Sequence, residues 1–271
     1  MSHRPRKRFG QHFLTDTAVI DRLVAAIDPQ PGQTVVEIGP GTGAMTVPLA
    51  ARCDALTVVE LDRDLARTLA ERTGLGERLI VHNADALSFD FCSLASAGRR
   101  LRLTGNLPYN ISTPLLFHLT TQLVCIDDMH FMLQREVVQR MAANAGDKHY
   151  GRLSIMLAQH CAVEALFDIA PDAFRPPPKV HSSFVRVTPL AAPPFAVHDQ
   201  TLFAATVSQA FSMRRKTLRN ALRGIATAAE LEGLGLDPSA RPETLPPASF
   251  AAIANLAADR RAGEAQASVE Q

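Results

Sequence analysis

The chain has 271 residues, of which 46% are hydrophobic and 20% charged, and it carries a formal net charge of +1. This is a globular composition, long enough for one sizeable α/β domain and a smaller appendage, and no run approaches membrane-spanning length. The near-neutral total hides three basic clusters: Arg4, Arg6, Lys7 and Arg8; Arg99, Arg100 and Arg102; and Arg214, Arg215, Lys216, Arg219 and Arg223. Any one of them alone reads better as a solvated face. Together they suit a polyanionic partner better than the mean charge implies.

After the basic start, Phe9-Gly10-Gln11-His12-Phe13-Leu14 is too short and polar for a signal peptide. Short β-branched runs at 34–38, 56–60, 79–82, 101–104 and 129–133 read as strands. Residues 45–52, 63–72 and 113–124 read as the helices between them. The alternation predicts a parallel sheet with helices on both faces. Two further strand candidates, 162–169 and 182–188, are joined by a proline-rich connection at 171–179 and are expected to form an antiparallel pair. Composition changes at Thr188-Pro189-Leu190-Ala191-Ala192-Pro193-Pro194. The division expected is a catalytic domain at 1–188, a linker at 189–199 and a helical domain at 200–271. Cys53, Cys92, Cys125 and Cys161 are widely spaced, with no CxxC pair and no companion histidine at ligand spacing. Neither a zinc site nor a disulfide framework is expected, and a reducing cytoplasm fits.

The chemistry sits in two turns. In the first, Glu37-Ile38-Gly39-Pro40-Gly41-Thr42-Gly43 follows an apolar run and opens towards a helix. Glycines there allow turns and a close backbone approach to a ligand. Such a turn serves dinucleotides as well as adenosyl methionine, but the dinucleotide spacing G-x-G-x-x-G is absent, which favours a cofactor without phosphates. Glu60, closing the second strand, is placed to accept from two ribose hydroxyls. Asp85, after the third, is placed to accept from an adenine amino group, although an acid there also fits a turn cap.

The second turn is Asn106-Leu107-Pro108-Tyr109, after the fourth strand. An exocyclic adenine amine is a poor nucleophile because its lone pair is delocalised into the ring. Acceptors that pull both N–H bonds out of plane restore it: the Asn106 side-chain oxygen and a backbone carbonyl near Leu107-Pro108, whose direction proline restricts. Tyr109 is expected to stack on the base, and Phe174 to close its other face, with a core position the competing reading for Phe174. Lys179 is expected to meet a phosphate or stand exposed. A nicotinamide oxidoreductase is the reading that the glycine spacing disfavours.

With these residues the chain resembles the small-subunit ribosomal RNA adenine dimethyltransferases of the kasugamycin-sensitivity type. The resemblance runs through Arg6 to Leu14, Gly105 to Pro114, Gln134 to Val138, Tyr150 to Ser154, Pro176 to Ser182 and Gln209 to Asn220. It implies a Rossmann-like adenosyl-methionine-dependent methyltransferase sheet with a smaller C-terminal helical domain. It implies S-adenosyl-L-methionine held by His12, Leu14, Gly39, Gly41, Glu60, Asp85 and Asn106, with Asn106, Leu107, Pro108, Tyr109 and Phe174 at the base, and no metal. Arg6, Lys7, Arg8, Lys179, Arg214, Arg215, Lys216 and Arg219 are the implied RNA contacts. The implied activity is methyl transfer to N6 of two adjacent adenosines near the 3′ end of 16S rRNA, in a 30S or pre-30S particle, by a cytoplasmic monomer. A ribosome-assembly binding factor and a large-subunit rRNA methyltransferase are the alternatives. The family usually carries Asn where His12 stands; histidine can still donate to a carboxylate. Leu107, in place of the proline common in DNA adenine methyltransferases, disfavours DNA as substrate.

Overall fold

The computed structural model describes residues 12–96, 98–213 and 215–269. Its chain divides into two compact units, residues 1–138 with 163–189 and residues 139–162 with 190–271.

The first unit is built on a sheet of seven strands among the described residues: β2 (Thr34–Ile38), β3 (Leu56–Glu60), β4 (Leu79–Asn83), β5 (Leu101–Asn106), β6 (Ile126–Gln134), β7 (Cys161–Ile169) and β9 (Ser182–Pro189). Their order is β4-β3-β2-β5-β6-β9-β7. The pairs from β4 to β6 are parallel, and β9 runs antiparallel to β6, with Gln134 opposite Ser182. Val35, Val36 and Ile38 of β2 and Leu56, Val58 and Val59 of β3 are all buried. Continuous burial is what a parallel strand covered on both faces requires, and β-branched side chains fit that pleated surface. Two short strands, β1 (Phe13–Leu14) and β8 (Phe174–Arg175), form a separate antiparallel ribbon in which Leu14 faces Phe174.

The helices follow from their caps and stripes. In α1 (Thr17–Ile27) the Asp16 carboxylate accepts from the amides of Ala18 and Val19, and Ile20, Leu23, Val24 and Ile27 form the buried stripe. In α3 (Arg63–Thr73) Asp62 caps the start, and Gly74 ends it in the left-handed region. The run expected as one helix at 113–124 is α4 (Ser112–Thr120) followed by a separate 3-10 turn, Leu123–Cys125. That turn carries a correction. Cys125 is joined to Cys92 in a disulfide, which the 33-residue separation gave no reason to expect. The approach comes from the fold, which sets the 3-10 turn Phe91–Leu94 against Leu123–Cys125. Cys53 and Cys161 are free and buried.

The second unit is helical. It contains α6 (Arg152–Ala158), α7 (Gln200–Ser212), α8 (Leu218–Ala221), α9 (Ala228–Gly233) and α10 (Pro247–Val269), while α5 (Arg135–Ala142) crosses the division. Its core gathers Phe203, Val207, Leu218, Leu231, Phe250 and Ile253 with Tyr150 and Ile155. Two expected boundaries therefore change. Residues 139–162, assigned from sequence to the catalytic domain, group with the helical unit. There the Tyr150 hydroxyl donates to the Leu245 carbonyl at 2.8 Å. The stretch 189–199 is also no free linker: Phe195 and Val197 pack on that core, and Asn255 holds the Ala196 carbonyl and the His198 amide. No helix among the described residues is long and apolar enough to cross a membrane.

Candidate active site

β2 and β5 are neighbours in the sheet, while β3–β4 and β6 extend it in opposite directions. At such a reversal the loops leaving the strand ends diverge and open a crevice, the usual place for a ligand in an open α/β sheet. The Gly39–Gly43 turn leaves β2 at this point, and Asn106–Tyr109 leaves β5.

One cleft is lined by His12, Leu14, Gly39, Gly41, Glu60, Asp85 and Asn106, the seven expected cofactor residues, together with Leu107, Pro108 and Tyr109. Gly41 adopts φ +57°, which favours glycine, and a Cβ there would lie a tight 3.1 Å from the Phe13 ring. Gly105, just before Asn106, has no side chain for a different reason: its Cβ would lie 2.3 Å from the Ile38 carbonyl oxygen.

Glu60 is 6% exposed, and its two oxygens accept from the amides of Gly41 at 3.1 Å and Asp62 at 2.8 Å. Burial raises its pKa, and these two hydrogen bonds pull in the opposite sense. Beneath the turn, Glu37 accepts from the Thr46 hydroxyl at 2.7 Å. Burial, opposed by that bond and reinforced by nearby Glu60, raises the Glu37 pKa to about 7. Asp85 takes both of the roles weighed for it, since it lines the cleft and also accepts from the Leu87 amide at 2.9 Å. The lining thus contains Glu37, Glu60, Asp62 and Asp85, and among the described residues no Lys or Arg. An acidic lining with no basic side chain among the described residues disfavours a pyrophosphate and suits a cationic, phosphate-free cofactor.

Asn106 has a defined amide orientation. Its Nδ2 donates to the His12 carbonyl at 3.0 Å. A carbonyl only accepts, so nitrogen must face it, and Oδ1 remains as an acceptor for the cleft. The His12 ring stacks on Tyr109 with centroids 5.8 Å apart and planes 29° from parallel. Its Nδ1 lies 2.8 Å from the Pro176 carbonyl, to which it must donate, so the recorded partner is a carbonyl and not a carboxylate. The Pro108 carbonyl is already engaged by the Ile111 amide and the Ser112 hydroxyl, both at 3.1 Å. Leu107, the other residue expected to offer a backbone acceptor, also lines the cleft.

Phe174 departs from its expected place. It is fully buried in the core of the first unit and does not line the cleft, so it has no open face to offer a base. It packs instead in the core cluster that also holds Met132, Ile169, Ala173 and Phe184, a set that sequence spacing did not reveal. Lys179, Arg215, Lys216 and Arg219 are exposed. Arg6, Lys7, Arg8 and Arg214 lie outside the described residues. Two groups that touch the site went unnoticed in the sequence: Thr46, which holds Glu37, and Ser182, whose hydroxyl lies 2.7 Å from that of Tyr109.

Sheet order, glycine turn and acidic cleft define a Rossmann-like methyltransferase domain. A family model described as ribosomal RNA adenine dimethylase matches residues 2–259. The chain belongs to the ribosomal RNA adenine dimethylase family. It is 51% identical over 257 residues to a Pseudomonas aeruginosa protein named ribosomal RNA small subunit methyltransferase A, covering 95% of this chain and 96% of that one. A Nitrosococcus oceani protein of the same name is 56% identical over 246 residues, covering 90% and 93%. Among solved structures, a dimethyladenosine transferase from Plasmodium falciparum superposes with a TM-score of 0.76 at 25% identity, covering 89% of this chain and 96% of that one. The 23S rRNA methyltransferase ErmE shares the fold, with a TM-score of 0.68 at 24% identity over 90% of this chain and 98% of that one.

Proposed function

We propose that this enzyme transfers methyl groups from S-adenosyl-L-methionine to N6 of two adjacent adenosines near the 3′ end of 16S rRNA, acting on a small-subunit particle. The observation that carries the reading is the fixed Asn106 amide, which presents an acceptor beside an acidic cleft. When bound, S-adenosyl-L-methionine supplies a methyl group made electrophilic by its sulfonium. Glu60 and Asp85 are the residues to hold its ribose and adenine, and the Gly39–Gly41 turn admits it closely.

Asn106 Oδ1 and the Leu107 carbonyl accept the two N–H bonds of the target amine and draw its lone pair out of the ring. Tyr109 stacks on the base. No strong general base is needed, because a methylated exocyclic nitrogen loses its proton readily, so positioning and electrostatics dominate. Exposed Lys179, Arg215, Lys216 and Arg219 suit phosphate contacts that weaken with salt. The target base must be unstacked to be reached, so a particle with exposed loops is a better substrate than a bare duplex.

The test is methyl transfer from labelled S-adenosyl-L-methionine to 30S subunits lacking the modification, followed by nucleoside analysis. Labelled N6,N6-dimethyladenosine that disappears with Asn106→Ala is the expected result. Transfer to 50S subunits alone would move the assignment to the large subunit. Particle binding without transfer to either would leave an assembly factor.

A further inference from the structure

Tyr109 stands on a loop, yet its ring is held at two places. The His12 ring lies against its face, a contact that lets the rings slide over one another. Its hydroxyl lies 2.7 Å from the Ser182 hydroxyl. We propose that Ser182 is a positioning residue for the methyl-transfer reaction, anchoring the phenol so that the Tyr109 ring stands where the target adenine must stack. The inference rests on the function proposed above.

Ser182 is well suited to be the fixed end. It is the first residue of β9, paired opposite Gln134 of β6, and the Arg135 amide donates to the carbonyl of neighbouring His181 at 3.0 Å. Its side chain is 0% exposed, so water cannot replace the phenol as partner. Tyr109 is only half-buried and belongs to the cleft wall. A ring on a loop has two torsions free to wander. One directional bond to a strand removes much of that freedom before the base arrives, and pre-ordering of this kind is realised as turnover. Burial raises the Tyr109 pKa, which keeps the phenol neutral and able to donate.

Ser182→Ala should lower turnover on RNA about three- to tenfold, the range of one net hydrogen bond, with cofactor affinity unchanged and only a small fall in Tm. Tyr109→Phe should lose activity as well, because it frees the ring and leaves the Ser182 hydroxyl buried without a partner. The double variant should then be no worse than Tyr109→Phe alone. Losses that multiply in the double variant, or a Ser182→Ala enzyme with normal turnover, would overturn the proposal. A second readout does not depend on activity. The chain has only 2 tyrosines, and Tyr150 lies in the other unit. In tyrosine-labelled protein, Ser182→Ala should therefore shift and sharpen one ring signal and leave the other in place. An unchanged Tyr109 signal refutes the anchoring itself. A wild-type enzyme that yields no dimethyladenosine, with the ring signal responding as expected, refutes the functional reading instead.

Discussion

Gly105→Ala places a side chain where two strands meet backbone to backbone. The new Cβ would lie 2.3 Å from the Ile38 carbonyl oxygen and 3.2 Å from its carbon. A relaxed carbon–oxygen contact is about 3.3–3.6 Å, so the ends of β2 and β5 must part by roughly 1 Å. Both sides of the clash are backbone, and no rotamer relieves it. Forcing extra volume into packed structure costs about 1–3 kcal/mol, and this site belongs at the upper end. For a unit of this size, that is a fall of roughly 5–10 °C in Tm. The displacement also lands on Asn106, the next residue. A misplacement of about 1 Å at a reacting centre costs about 100-fold in kcat/KM. Gly233→Ala is the control, since no atom lies within 4 Å of its Cβ and its φ is ordinary. Thermal unfolding followed by circular dichroism and the nucleoside assay measure the two effects separately. A Gly105→Ala protein that melts and methylates like the wild type would refute the claim that this close approach fixes the site.

Three other predictions follow from buried groups. Glu37 binds its proton more tightly folded than unfolded, so its contribution to stability is complete below about pH 4.5 and is lost as pH rises to about 7. Glu37→Gln keeps an acceptor for Thr46 and cannot ionise, so it should remove a fall on the order of 3 kcal/mol across that window in urea titrations; an unchanged slope refutes this. Arg102 grips Asp128 through two bonds, at 3.0 and 2.7 Å, and also holds the carbonyls of Ile27 and Asp28. Arg102→Ala should cost about 2–4 kcal/mol in denaturant unfolding, whereas Asp168→Ala, which breaks a half-exposed pair with Arg135, should cost under about 0.5 kcal/mol. Finally, of the 4 cysteines, only Cys53 and Cys161 should react with a thiol reagent in denatured, unreduced protein, and reduction should lower stability by about 3–4 kcal/mol for a loop of this length. Four reactive thiols would exclude the bridge.

Legibility in the sequence followed the range of the forces involved. The runs at 34–38 and 56–60 match β2 and β3 to the residue because β-branched side chains and flanking turns are local signals. Glu60 and Asn106 close strands and Asp85 follows one by two residues, and position at a strand end is a local signal that all three line the crevice. Local signals fail where a partner is distant in the chain. Two-residue strands such as β1 and β8 have no period to detect, so Phe174 could not be told from a cleft wall without its core partners Met132, Ile169 and Phe184. The same holds for Cys92 with Cys125 and for Tyr109 with Ser182, whose partners are 33 and 73 residues apart. The stripe of Ile20, Leu23, Val24 and Ile27 in α1 is a local signal at helical spacing.

The division of the chain limits how the enzyme can be taken apart. The path passes from the first unit to the second after Val138, returns at Val163 and leaves again after Pro189. A truncation at residue 189 would carry away most of the helical unit yet leave Tyr150 and Ile155 stripped of the core they share with Phe203 and Phe250. A chimera designed to exchange the helical unit must therefore transplant residues 139–162 along with everything after 189, as two inserts and not one. On a translating ribosome the order is equally constrained. β9 separates β6 from β7 in the sheet, so the catalytic half cannot close until the chain has been made through Pro189, after residues 139–162 of its neighbour have already been synthesised.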